Sequence, residues 1–299
     1  MSRVLTAMPA AALAMVLLAG CGAETTPSAA SSGTKAAPAA DPHGKRRQME
    51  AMRADCMKQK GFKYVPNIPP PLTTSSKERL LDGSGDYSAM RKYREKHGFG
   101  VYFTFAYPDD PEEGIPDPIP DPNMELAQSL SKTQYNAWTA ADNACYAAAF
   151  TTLTGKKASS MDDVYTQADN IYIKAKERRL DGDPQLVELA GDFGDCLKSE
   201  GYPVASLKPT AMAFSTGLIF EEERTANMTK RMKSGEAETV EAMRIPPGEA
   251  RPHLAREIKA ALDDLECGKN FYAAFRPRDA KLLEETWNGF GRKDGLLPY

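Results

Sequence analysis

A chain of 299 residues with 38 Lys and Arg against 41 Asp and Glu carries a formal charge of −3, which excludes the clustered basic surface that nucleic acid requires. Its 41% apolar content is enough for a packed core, and beyond the first twenty residues no stretch is long and apolar enough to cross a bilayer. With three histidines in the whole chain, there is little material for imidazole chemistry or histidine-rich metal sites.

The N-terminus comes first in chain order. Met1-Ser2-Arg3 is followed by an apolar run from Val4 to Leu18 and then by Ala19-Gly20-Cys21. A short positive start, an apolar core and a small-residue exit make a secretory signal. The run is short for a membrane span and contains Pro9, which sets it against an uncleaved helix. Leu18-Ala19-Gly20-Cys21 resembles the lipobox of bacterial lipoproteins. That resemblance implies cleavage before Cys21, lipid on its sulfur and a position on the outer face of the cell membrane. One acyl chain binds a membrane only marginally, and each further buried methylene adds about 0.8 kcal/mol, so two or three chains anchor stably. Residues 1–20 are therefore read as the signal peptide and 21–44 as a lipidated tether. The tether is mostly Ala, Ser, Thr, Gly and Pro and buries too little apolar surface to order itself. As a coil it reaches roughly 25 Å.

The body reads as mainly α: two tandem disulfide-stapled helical units, residues 45–155 and 183–299, joined by a connecting helix within 156–182. A helix is expected from Lys45 to Lys60 and another over Tyr87–His97. Val101–Tyr107 is aromatic-rich and alternates in size, a strand pattern that could pair with Phe62–Val65 as a small β-ribbon. Residues 108–123 form a loop rich in Pro and Asp. Ser131 with Gln134, and Ser160 with Asp163, are capping boxes that start two helices, the second running to about Arg179. Asp183-Pro184 starts the next, with proline at the favoured first position. Further helices are expected near 218–232, 236–244, 249–273 and 278–290.

The two units come from an internal duplication. Asp55-Cys56-Met57-Lys58-Gln59-Lys60-Gly61-Phe62 matches Asp195-Cys196-Leu197-Lys198-Ser199-Glu200-Gly201-Tyr202 at Asp, Cys, Lys and Gly, and each glycine sits where a left-handed helix cap belongs. Downstream, Asp142 precedes Cys145 by three positions and Asp264 precedes Cys267 by three, each cysteine lying ahead of an aromatic-Ala-Ala run. With Cys21 assigned to lipid, four cysteines remain in an oxidising compartment, and four allow three pairings. The repeat selects Cys56–Cys145 and Cys196–Cys267, one bridge within each unit, each worth about 4 kcal/mol in the chain-entropy model.

No catalytic, cofactor or metal signature emerges. His43 lies in the tether; His97 and His253 lack ligand-spaced neighbours and read as structural. Ser129-Leu130-Ser131-Lys132 matches the Ser-x-x-Lys of penicillin-binding proteins and β-lactamases, but the companion Lys-Thr-Gly and Ser-Asp-Asn elements are missing and the serine is wanted for capping. The acidic stretch holding Asp109, Asp110, Glu112, Glu113, Asp117 and Asp121 lacks EF-hand spacing and reads as a solvated loop ahead of a calcium site. Glu221-Glu222-Glu223 and Asp263-Asp264 read as solvated helix faces.

The stretches Cys56-Met57…Gly61-Phe62, Asp121-Pro122-Asn123, Ser129-Leu130-Ser131 and Ala141-Asp142…Cys145 resemble a group of uncharacterised actinobacterial lipoproteins. The likeness covers most of the first unit and the cysteine helices of the second, which lacks the Asp-Pro-Asn stretch. It implies the address and the disulfides, and no chemistry. The expected function is a non-catalytic envelope protein, held to the membrane through Cys21, that binds an envelope protein or wall polymer. The alternatives are a secreted carboxylate-dependent cell-wall hydrolase and a small-ligand receptor with a cleft between the two units.

Overall fold

A computed structural model describes residues 44–68, 82–110, 120–234 and 245–297, all within one compact unit spanning 40–299. The signal, Cys21 and the tether lie outside the described residues, as do most of the acidic loop and the expected helix at 236–244. Among the described residues no helix is long and apolar enough to cross a membrane.

The fold is mainly α. In chain order the helices are α1 (Gly44–Gln59), α2 (Tyr87–His97), α3 (Phe103–Ala106), α4 (Pro122–Gln128), α5 (Lys132–Thr154), α6 (Met161–Arg179), α7 (Pro184–Ser199), α8 (Pro209–Met212), α9 (Ser215–Lys233), α10 (Pro247–Cys267) and α11 (Lys269–Asn288), with a 3₁₀ turn at Arg292–Asp294. Local chemistry sets their starts. Ser131 caps α5 in a full capping box with Gln134, Ser160 accepts from the Asp163 N–H at α6, and Asp183 accepts from Gln185 and Leu186 ahead of Pro184 at α7. These satisfy amides that would otherwise lack partners at each helix start.

Both duplicated helix ends close in the same way. Phe62 N–H donates to Met57 C=O at 2.9 Å and Tyr202 N–H to Leu197 C=O at 2.9 Å, with Gly61 and Gly201 at φ 82° and 86°. This is the paired hydrogen-bond pattern of a Schellman cap, and the positive φ is why glycine stands at both positions. Both disulfides are present, Cys56–Cys145 and Cys196–Cys267, with Cα separations of 5.6 and 5.5 Å.

Two expectations are corrected. There is no strand among the described residues, so the Val101–Tyr107 and Phe62–Val65 ribbon does not form. Residues 103–106 make one helical turn instead. The amides that a ribbon would pair are taken elsewhere: Val101 and Tyr102 donate to the Glu257 carboxylate, and Val65 pairs with the Asn123 side chain through both its N–H and its C=O, each at 2.8 Å. The C-terminal helices also break differently. The break falls at Gly268, and Pro277 lies inside α11.

Four apolar clusters fill the body. One joins α7 and α11 through Phe193, Phe271 and Phe275, and includes Met90 of α2. A second joins Met49 of α1, Phe150 of α5 and Val164 of α6 to the C-terminal Phe290, Leu296 and Leu297. A third gathers Val101–Ala106 against Phe220 and Leu254. The fourth surrounds the first disulfide with Met57, Ala141, Phe62 and Trp138. Segments from before and after the connecting helix therefore share clusters.

Candidate functional site

The first cleft lies beside the Cys56–Cys145 bridge, with a volume of about 480 Å³. The bridge joins α1 to α5, and one turn before each cysteine stands a charged residue, Arg53 and Asp142. Arg53 Nε and Nη2 donate to the two Asp142 oxygens, both at 2.7 Å, a bidentate pair. Burial works against the Arg53 charge, but the Asp142 hydrogen bond and nearby negative charge outweigh it and hold the guanidinium cationic. Beneath lies Glu50, ion-paired to Arg46 at 3.1 Å and accepting from Tyr64 Oη at 2.8 Å and Asn67 N at 3.2 Å. Burial raises the Tyr64 phenol, so it stays neutral and donates. The Asn123 amide fastens the 62–67 segment over this floor, and Asp121 caps α4 by accepting from Asn123 N at 2.9 Å. Tyr135 and Trp138, three apart on α5 and so on one face, line the wall.

A second, wider cleft of about 680 Å³ lies among α2, α9, α10 and α11. Its floor is Arg94, only 1% exposed, bonded to Asp82 at 2.6 Å, Asp264 at 2.5 Å and the Ala261 carbonyl at 2.9 Å. Tyr272 Oη donates to the same Asp264 at 2.7 Å. Phe214 and Leu218 stand exposed at the mouth. The two clefts repeat one device. Asp142 and Asp264 each lie three before the second cysteine of a bridge, and each holds a buried arginine. In the first repeat that arginine is three before Cys56. In the second, the matching position before Cys196 is Phe193, and the arginine comes instead from Arg94 on α2.

A third group surrounds Glu257, which is fully buried. Its oxygens accept from Phe99 N and Val101 N at 2.8 Å and Tyr102 N at 2.9 Å. Gly98, at φ 62°, lies so close that any Cβ there would fall within 2.9 Å of the carboxyl. Burial raises this carboxyl to about 7, with the backbone donors pulling the other way. One turn earlier, His253 Nδ1 lies 2.8 Å from Glu223 and its ring stacks on Tyr102 at 4.8 Å.

The four paired cysteines are where the repeat places them. Ser131 of the Ser-x-x-Lys tetrad serves as a cap, and Ser129 Oγ donates to Leu126 C=O. His97 is buried between Tyr93 and Phe103. His253 does meet a carboxylate, but Glu223 comes from another helix, so spacing within α10 could not reveal it. Asp110 of the acidic loop pairs with Lys96 at 3.5 Å; residues 111–119 are outside the described residues. Among the described residues no cluster of His, Cys, Asp and Glu could hold a metal. Sequence reasoning missed Arg53, Glu50, Arg94 and Glu257. Arg53 had a signal: residues one turn before two bridged cysteines must face each other.

Neither a scan of protein-family models nor searches of curated proteins and of solved structures produced a match to this chain.

Proposed function

We propose that the chain is an exported lipoprotein, anchored through Cys21 to the outer face of the cell membrane, whose helical body is a non-catalytic module that binds a cell-envelope component. The resemblance to uncharacterised actinobacterial lipoproteins belongs to this reading, and the two disulfides are compatible with export.

The observation that carries it is the way charge is held in the two clefts. Asp142 is bound at both oxygens by Arg53, and Asp82 and Asp264 are bound by Arg94. A general acid or base needs a carboxyl within reach of the substrate's proton and poised near the working pH. Carboxylates locked to guanidinium are instead rigid, ion-paired floors, which suit recognition. A hydrolase working through these carboxylates is therefore the weaker alternative. The receptor reading keeps one specific support, the wider cleft with Phe214 and Leu218 at its mouth, a mixed apolar and polar site suited to a small ligand.

The test is co-sedimentation. Full-length Cys21→Ser protein, collected free of lipid, is mixed with purified insoluble cell wall and centrifuged. The reading expects saturable pelleting that soluble wall fragments compete away. Protein that stays in the supernatant at all wall concentrations overturns it.

A further inference from the structure

We infer that the cleft beside the first disulfide is a subsite for an uncharged glycan, with Tyr135 and Trp138 as its stacking wall. This rests on the reading that the body binds an envelope component, and it names the chemistry of that component.

Charge comes first. The cleft is lined by two cations, Arg46 and Arg53, and two carboxylates, Asp121 and Asp142, with the Glu50 carboxylate buried beneath, which leaves Asp121 as the one carboxylate of the three without a cation among the described residues. Arg53 is saturated by Asp142, and Arg46 is paired with Glu50. Both guanidinium charges are thus neutralised within the protein, although Arg46 Nε has no acceptor, so an anionic ligand would meet no uncommitted cation and would lose its hydration. A cationic ligand would face the two arginines that line the same cleft.

What remains uncommitted is one carboxylate oxygen and two neutral polar groups. Asp121 Oδ1 takes the Asn123 amide and a 3.4 Å contact from Asn67, which leaves Oδ2 without a partner among the described residues. The Gln128 side chain makes no hydrogen bond to any described residue, and neither does the Tyr135 hydroxyl. All three groups line one cleft. Together they supply acceptors from Asp121 and Gln128 and donors from Gln128 and Tyr135, which matches a rim of hydroxyls that both donate and accept.

The apolar half fits the same ligand. Tyr135 is 46% exposed on a helix surface, so much of its ring is open to a ligand. Trp138 is tethered by its indole N–H to the Lys63 carbonyl at 3.2 Å, so its ring is held in place before any ligand arrives. A pyranose carries a flank of C–H bonds that packs on such rings while its hydroxyls reach the rim, and a preset ring loses little freedom on binding. The second repeat has no equivalent: it lacks the Asp-Pro-Asn stretch that places Asp121 and Asn123.

The chain has only two tryptophans, Trp138 and Trp287, and Trp287 packs against Tyr165 in a separate cluster. In full-length Cys21→Ser protein carrying Trp287→Phe, Trp138 alone reports. It is titrated with an N-acetylglucosamine trimer, an uncharged probe. The inference expects a saturable emission change, weakened about tenfold or more by Tyr135→Ala, the loss typical of truncating an anchor aromatic, and weakened also by Gln128→Ala. Both substitutions lie on exposed helix surface, and circular dichroism confirms their folding. No change at millimolar sugar, or a change that Tyr135→Ala leaves intact, overturns the subsite. If the trimer is silent while the chain still pellets with wall, the glycan inference falls and the wall-binding reading stands. If the trimer binds and the chain does not pellet, the wall-binding reading falls and the subsite stands.

Discussion

Arg53 and Asp142 show how much one buried pair costs when it is broken and how little when it is replaced. Both side chains are about nine-tenths buried and share two hydrogen bonds. Asp142→Ala leaves the guanidinium beside Tyr64 and Tyr146 rings without its main carboxylate. Truncating one member of such a pair costs about 3 to 5 kcal/mol, whereas exchanging both for apolar groups of similar volume is near neutral. Denaturant unfolding should therefore find Asp142→Ala less stable by about 3 kcal/mol, and Arg53→Met with Asp142→Leu close to the parent. A double variant as unstable as the single one would mean that the pair does more than balance charge. The position of this pair was legible in outline, because Asp142 repeats as Asp264 at the same offset from cysteine. Its partner could be reached only through the predicted bridge, which sets Arg53 opposite Asp142, because Arg53 has no counterpart in the second repeat.

The elements divide by whether their signals are local. The starts of α5, α6 and α7 were legible because each rests on a side chain bonding an amide two to three residues away, and the glycine caps after α1 and α7 because their backbone bonds need a residue at positive φ. Disulfide pairing was legible from the repeat. The segment 98–106 was not, because alternating aromatics look alike whether the amides pair with a strand or with a distant carboxylate. Glu257, some 155 residues further on, gathers three of them and fixes the turn between α2 and α3. Pro277 misled for a related reason: the helix α11 continues through it with its faces packed on α6 and α7.

Glu257 also gives the turn a pH dependence. In the folded chain the carboxyl keeps its proton up to about 7, against 4.5 for an ordinary glutamate. The native state therefore binds more protons than the unfolded state between those values, and stability falls as pH rises through that window. Taken alone the effect is on the order of 3 kcal/mol. The difference in unfolding free energy between the parent and Glu257→Gln isolates it. The parent's advantage should shrink from pH 4.5 to 7, and an advantage that grows over this range would contradict the assignment. Glu257→Gln itself should be destabilising at every pH, since its amide must face at least one backbone N–H.

At the scale of the whole molecule, three parts have separate tasks under the proposed function: a signal to be removed, a tether to space, and a stapled body to bind. Within the body, helices from before and after the connector share cores, so the C-terminal Asp294 reaches Lys45 of α1 at 2.8 Å and Leu296 packs with Met49. That closure brings Asp294 and Leu296 back to α1, the first described helix. Of the class of function the sequence suggested an address and paired cysteines, and the pairing is what the structure shows. The clefts were invisible in the sequence because their walls come from residues far apart along the chain, as with Tyr64, Asp121 and Trp138.

The central claim is that this body is held on the membrane by its first mature residue, and mass spectrometry of the N-terminal peptide from membrane-extracted protein tests it most directly. The account predicts that the mature chain begins at Cys21 and that this residue carries the mass of a diacylglyceryl group, absent from the Cys21→Ser variant. A membrane-extracted chain that still begins at Met1, or one that begins at Cys21 with a bare thiol, would contradict it.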